Sequence, residues 1–72
     1  MRKTFALIDL DCANCAAKME AAIRNLPGVT DASVSYITQK LTLEAPDELF
    51  DKVLKQAIKA VHKIEPDCEI VF

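Results

Sequence analysis

From Phe50 to Val61 the apolar residues Phe50, Val53, Leu54, Ala57, Ile58 and Val61 return every third or fourth position, which lines them up as one stripe along an α-helix. No other feature limits the fold as much, because a helix this one-sided must lay its stripe on an apolar surface that the rest of a 72-residue chain has to supply. Lys52, Lys55, Lys59 and Lys63 occupy the remaining face and read as its solvated side. Ala45-Pro46-Asp47 opens the segment, with Asp47 expected as N-cap and Glu48 complementing the helix dipole.

The surface that receives the stripe is predicted from segments with a period of two. Arg2 to Ile8 sets Phe5 and Leu7 on one face and Thr4, Ala6 and Ile8 on the other; Val29 to Tyr36 alternates through Val29, Ala32, Val34 and Tyr36, with a slip near Thr30 and Asp31 that marks a bulge or the true start. Thr38-Gln39-Lys40 marks a turn, Leu41 and Leu43 continue as an antiparallel partner, and Ile64 to Phe72 forms the last strand with Pro66, Cys68, Ile70 and Phe72 on one side. A weaker helical stripe, Ala16, Met19, Ile23 and Leu26, predicts a first helix from Asn14 to Leu26, capped by Asn14 and stopped by Pro27-Gly28. The order is β-α-β-β-α-β. Its simplest packing is an α+β, ferredoxin-like single domain over residues 1–72: one four-stranded antiparallel sheet with both helices on one face and the other face wet.

A chain this short is near the size at which one core just suffices, and it has little material for an enzyme cleft. No catalysis is expected. Net charge −2, one tyrosine and no tryptophan offer neither the basic face nor the aromatic platform of a nucleic-acid binder. No apolar run is long enough to span a bilayer, and residues 1 to 10 carry no cleavage site of a secretory signal. Three cysteines, two of them close neighbours, make a poor disulfide framework and fit a reducing cytoplasm better.

Those neighbours are Cys12 and Cys15 in "DLDCANCAAKME", at the junction of first strand and first helix. Cys15 falls in the first helical turn, where free N–H groups and the dipole favour its thiolate, and Cys12 lies in the loop, able to turn back toward it. Two thiolates on one side of a tight turn chelate soft or borderline cations such as Zn(II), Cd(II), Pb(II) or Cu(I). With no second such pair, the site is incomplete for structural zinc and suits temporary holding and transfer. Asp11 adds a hard oxygen and a charge, which moves divalent zinc, cadmium and lead ahead of monovalent copper. Asp9 deepens the negative potential and tolerates the left-handed backbone that a loop after a strand often needs.

Two other readings of the cysteine pair stand beside this one. A C-x-x-C at a helix start also serves thiol-disulfide exchange, although a thioredoxin-like fold needs a longer chain and another element order; alternatively the cysteines are small core residues. Cys68, on one strand face with Ile70, reads as a buried structural thiol, and His62 as a partner of helix-end carbonyls before a metal ligand.

Strand, D-L-D-C-x-x-C loop, helix and the later "LPGV" together resemble the heavy-metal-associated domain over essentially the whole chain, in particular the amino-terminal domains of zinc/cadmium/lead-exporting P-type ATPases. The resemblance implies Cys12 and Cys15 as sulfur ligands, Asp11 as carboxylate ligand and Leu10 in place of the family's buried methionine, with Asp9 replacing its usual glycine. Val61-His62 is matched to the glycine-tyrosine pair that lies near the metal loop before the last strand. Implied partners are the transmembrane part of a metal-transporting ATPase or another metallochaperone. The chain is then a cytoplasmic monomer, with a dimer bridged by a shared ion as the one association its exposed thiolates suggest.

Overall fold

A computed structural model describes residues 1–71. Its elements run β1 (Arg2–Ile8), α1 (Ala13–Arg24), β2 (Asp31–Ser35), β3 (Lys40–Glu44), α2 (Asp47–Ile64) and β4 (Glu69–Val71). The strands form one antiparallel sheet in the order β2-β3-β1-β4, the ferredoxin-like arrangement expected from the order of periods. Phe5 and Leu7 of β1, Leu41 and Leu43 of β3, and Ala32 of β2 are buried on the face that receives both helices. Met19 and Ile23 of α1 and Phe50, Val53, Ala57 and Val61 of α2 fill the space above them. The rings of Phe5 and Phe50 meet at 6.4 Å. The opposite sheet face is exposed and mostly polar, with the hydroxyls of Thr4 and Thr42 meeting across β1 and β3 at 3.2 Å.

Both expected helix caps are displaced. Cys12, with φ −132° and ψ 118°, is the N-cap of α1, and its sulfur accepts the Cys15 N–H at 3.2 Å. Asn14 is therefore already helical. In α2 the cap position is Pro46, which has no side-chain donor or acceptor, and Asp47 is the first helical residue. The Asp47 carboxylate instead pairs with the Met1 ammonium at 2.8 Å, and that ammonium also donates to the Ala45 carbonyl.

The ends of the strands differ as well. β2 begins at Asp31, so the slip near Thr30 is its true start, and Tyr36 belongs to the turn 36–39. α1 stops at Arg24, two residues before the end of its apolar stripe, and Leu26 packs half-buried against the core from the following loop. Ile64 ends α2 rather than starting β4, because the helical stripe continues through Val61 and Glu65 caps the helix by donating its N–H to the Val61 carbonyl at 2.8 Å. A turn through Pro66 and Asp67, closed by the Cys68 N–H on the Glu65 carbonyl, then feeds β4. Phe72, expected on the same face as Ile70, lies outside the described residues.

Two outward backbone groups of edge strand β2 are occupied by α1. Glu20 accepts the Val34 N–H at 2.9 Å, and Arg24, one turn on, donates to the Ala32 carbonyl at 2.6 Å and pairs with Asp31. At the far end of α1, Gly28 at φ +90° lets the chain pass Val53 and Leu49 closely, and there Pro27, Gly28, Leu49, Lys52, Val53 and Gln56 line a shallow groove.

Candidate metal centre

β1 runs toward one end of the molecule, where three connections gather: the loop 9–12, the turn 36–39 and the turn 65–68. The first bends at Asp9, whose φ of +61° is the left-handed conformation expected of it. Leu10 then turns inward, only 1% exposed, and anchors the loop in the core as the family's methionine was expected to do. Its carbonyl accepts a hydrogen bond of 2.5 Å from Gln39 Nε2, which reaches over from the β2–β3 turn. Asp11 is exposed.

The next anchored residue is Cys12, held by its capping sulfur and by its carbonyl, which accepts the Ala16 N–H at 3.1 Å. Cys12 and Cys15 are both half-exposed and unbridged, and their sulfurs face each other across the first helical turn. Hydrogen bonds from the Cys15 thiol and from the Cys15 and Asn14 backbone draw the Cys12 thiol below the ordinary thiol range. The reciprocal effect pushes Cys15 up to about 11: its proton is held against the Cys12 sulfur, partial burial disfavours its ionisation, and the charges of Cys12 and Glu65 oppose it. Lys18 acts in the other direction. The two thiols are thus unequal, Cys12 the more readily ionised and Cys15 the one that holds its proton.

Cys68 lies in the core beneath this end, and burial raises its thiol, with Glu65, Asp9, Asp11 and Glu69 adding to the effect. It is the structural thiol expected. His62 is exposed in the last turn of α2, the helix end at which it was read as a partner of the carbonyls, and Val61 before it is buried. The α2-end side chain whose charge reaches both Cys12 and Cys15 is Glu65, about one turn later and half-buried. Among the described residues no three His, Cys, Asp or Glu side chains are gathered closely enough to hold an ion; the two sulfurs are together and the Asp11 carboxylate stands outside them. Neither Glu65 nor Gln39 was picked out from the sequence. Gln39 stood only as one of the polar residues, Thr38-Gln39-Lys40, that mark the turn.

A family model for the heavy-metal-associated domain matches residues 4–67. The chain belongs to the heavy-metal-associated domain family. Within that family, the domain is 32% identical over 66 residues to the zinc/cadmium/lead-transporting P-type ATPase of Escherichia coli, a match covering 92% of this chain and 9% of the ATPase. It is also 32% identical over 53 residues to the probable copper-importing P-type ATPase A of Enterococcus hirae, covering 74% of this chain and 7% of that protein. Among solved structures, the N-terminal domain of ZntA in its Zn(II) form superposes with a TM-score of 0.71 at 30% identity, covering 96% of this chain and 86% of that one. This heavy-metal-associated domain therefore spans less than a tenth of either ATPase. No helix among its described residues is long and apolar enough to cross a membrane, and its βαββαβ order is not that of a thioredoxin-like fold.

Proposed function

We propose that this domain holds a borderline-soft divalent cation, zinc, cadmium or lead, between Cys12 and Cys15 with Asp11 as oxygen ligand, and hands it on by ligand exchange. The observation that carries the reading is the pair of half-exposed, unbridged cysteines at the start of α1, where the Cys12 sulfur already accepts the Cys15 N–H at 3.2 Å. A cation takes the place of the Cys15 proton, and because the pair is open to solvent an incoming thiolate can attach before either resident sulfur leaves. Asp11 is exposed, so its carboxylate joins by turning in when the ion arrives.

Three features favour a divalent ion. Asp11 adjoins the pair, Glu65 adds negative potential at both sulfurs, and the identity to the zinc/cadmium/lead-transporting ATPase extends along nearly the whole domain. The receiving partner is the transmembrane part of such an ATPase, in the same chain or another, or a second metallochaperone, and the site of action is the cytoplasm. A copper(I) reading has its own support: two sulfurs with no third ligand gathered satisfy monovalent copper as they stand, and the copper-importing ATPase is equally identical over its shorter match.

Competition between Cd(II) and Cu(I), followed by the sulfur-to-cadmium charge-transfer absorption, separates the two. Asp11→Ala is expected to lower Cd(II) and Zn(II) affinity by about ten- to a hundredfold, the range for losing a supporting group at a metal site, and to leave Cu(I) unchanged. Equal affinities before and after the substitution would remove Asp11 from the ligand set. Failure of the reduced wild-type domain to retain any of these ions would end the proposal.

A further inference from the structure

The left-handed position in the β2–β3 turn is occupied by Gln39, at φ +55°. Glycine or asparagine would serve that backbone better, so the turn alone gives no reason for a glutamine. Its side chain does. Nε2 donates to the Leu10 carbonyl at 2.5 Å and to the Tyr36 carbonyl at 3.2 Å, while the Gln39 carbonyl accepts the Leu7 N–H at 2.8 Å. One residue thus ties the hairpin turn to the backbone on either side of Asp9.

We propose that Gln39 is a positioning residue for the cysteine loop, fixing the Leu10–Asp11 peptide and through it the separation of the Cys12 and Cys15 sulfurs. The inference rests on the metal-holding reading above. Leu10 is pinned at its side chain by the core and at its carbonyl by Gln39, and Cys12 is pinned by its cap to α1. Only exposed Asp11 lies between them. With the carbonyl released, the peptide after Leu10 can rotate, and the capping geometry that sets Cys12 against Cys15 loses its second anchor. The chelate then fits an ion less well, and the ion leaves faster.

The test compares Gln39→Met, which keeps length and removes the donor, and Gln39→Asn, which keeps the amide but falls one methylene short, with Gly28→Ala at the far end of α1. The first readout is release of Cd(II) to excess EDTA; the second is hydrogen exchange at the Cys15 and Ala16 amides of the metal-free protein. Both Gln39 variants should speed both readouts by about three- to tenfold, the range of one hydrogen bond, whereas Gly28→Ala should leave both near wild type although it lowers global stability. Wild-type rates in both Gln39 variants, or an equal acceleration in Gly28→Ala, would overturn the proposal. A wild-type domain that takes up no Cd(II) while Gln39→Met still speeds exchange at Cys15 and Ala16 would sink the metal-holding reading and sustain the positioning one.

Discussion

Among the described residues three hold a positive φ, and each is used differently. Asp9 bends the loop, Gln39 lends its side chain across to Leu10, and Gly28 lets the backbone run against α2. A Cβ on Gly28 would sit 3.2 Å from Val53 Cγ2 and in a backbone region that L residues avoid. Gly28→Ala should therefore cost about 1–2 kcal/mol, read as a lower urea midpoint with unchanged slope; a neutral result would mean that Val53 yields and the turn relaxes. Residues whose task is local were legible before the structure: the cysteine pair from its spacing, Asp9 from its tolerance of the left-handed region, Cys68 from its place beside Ile70. Gln39 and Glu65 were not. Their importance comes from lying beside residues some 25 to 50 positions away in the chain, as with Gln39 and Leu10 at a separation of 29, and a polar side chain in a turn carries no sign of which distant carbonyl or sulfur it will meet.

At the scale of elements, periodicity located the helices and strands, and the errors lie at their ends. Asn14 and Asp47 are better capping residues than Cys12 and Pro46, yet in α1 the helix begins where Leu10 is anchored, which leaves Cys12 at the cap position. A sulfur is a weak acceptor. Cys12→Ser should thus keep or strengthen the cap, leaving the metal-free domain at least as stable as wild type, while removing one of the two sulfurs. The expected outcome is an unchanged or raised thermal midpoint together with loss of cadmium charge-transfer intensity; a large fall in the midpoint would show that the sulfur contributes packing as well as capping. α1 has a second task on its other side, where Glu20 and Arg24 occupy one outward N–H, of Val34, and one outward carbonyl, of Ala32, on β2. A free strand edge is a template for pairing with other chains, and here one helix turn covers it with a matched acceptor and donor.

Taken as a whole, the molecule divides its labour between its ends. Both helices and the covered sheet face make the core, and the end where the three connections gather carries Cys12, Cys15 and Cys68 and the carboxylates Asp9, Asp11, Glu65 and Glu69 that act on them. In the proposed function, cation uptake at that end expels a proton. Since Cys15 holds its own until about pH 11, at least one is displaced throughout the neutral range, and apparent Cd(II) affinity should climb by about tenfold per pH unit for each proton lost between about pH 7 and pH 9. Competition titrations with a chelator of known protonation would record that slope, and a flat profile would show that both sulfurs are already ionised in the free domain. The opposite end carries none of this chemistry. Twelve residues of α1, about 18 Å at 1.5 Å per residue, lie between the thiols and the groove at Gly28. A bead, dye or fused protein attached beside that groove would leave the thiol tip unobstructed, making it the natural handle for watching a single domain load and unload on a surface.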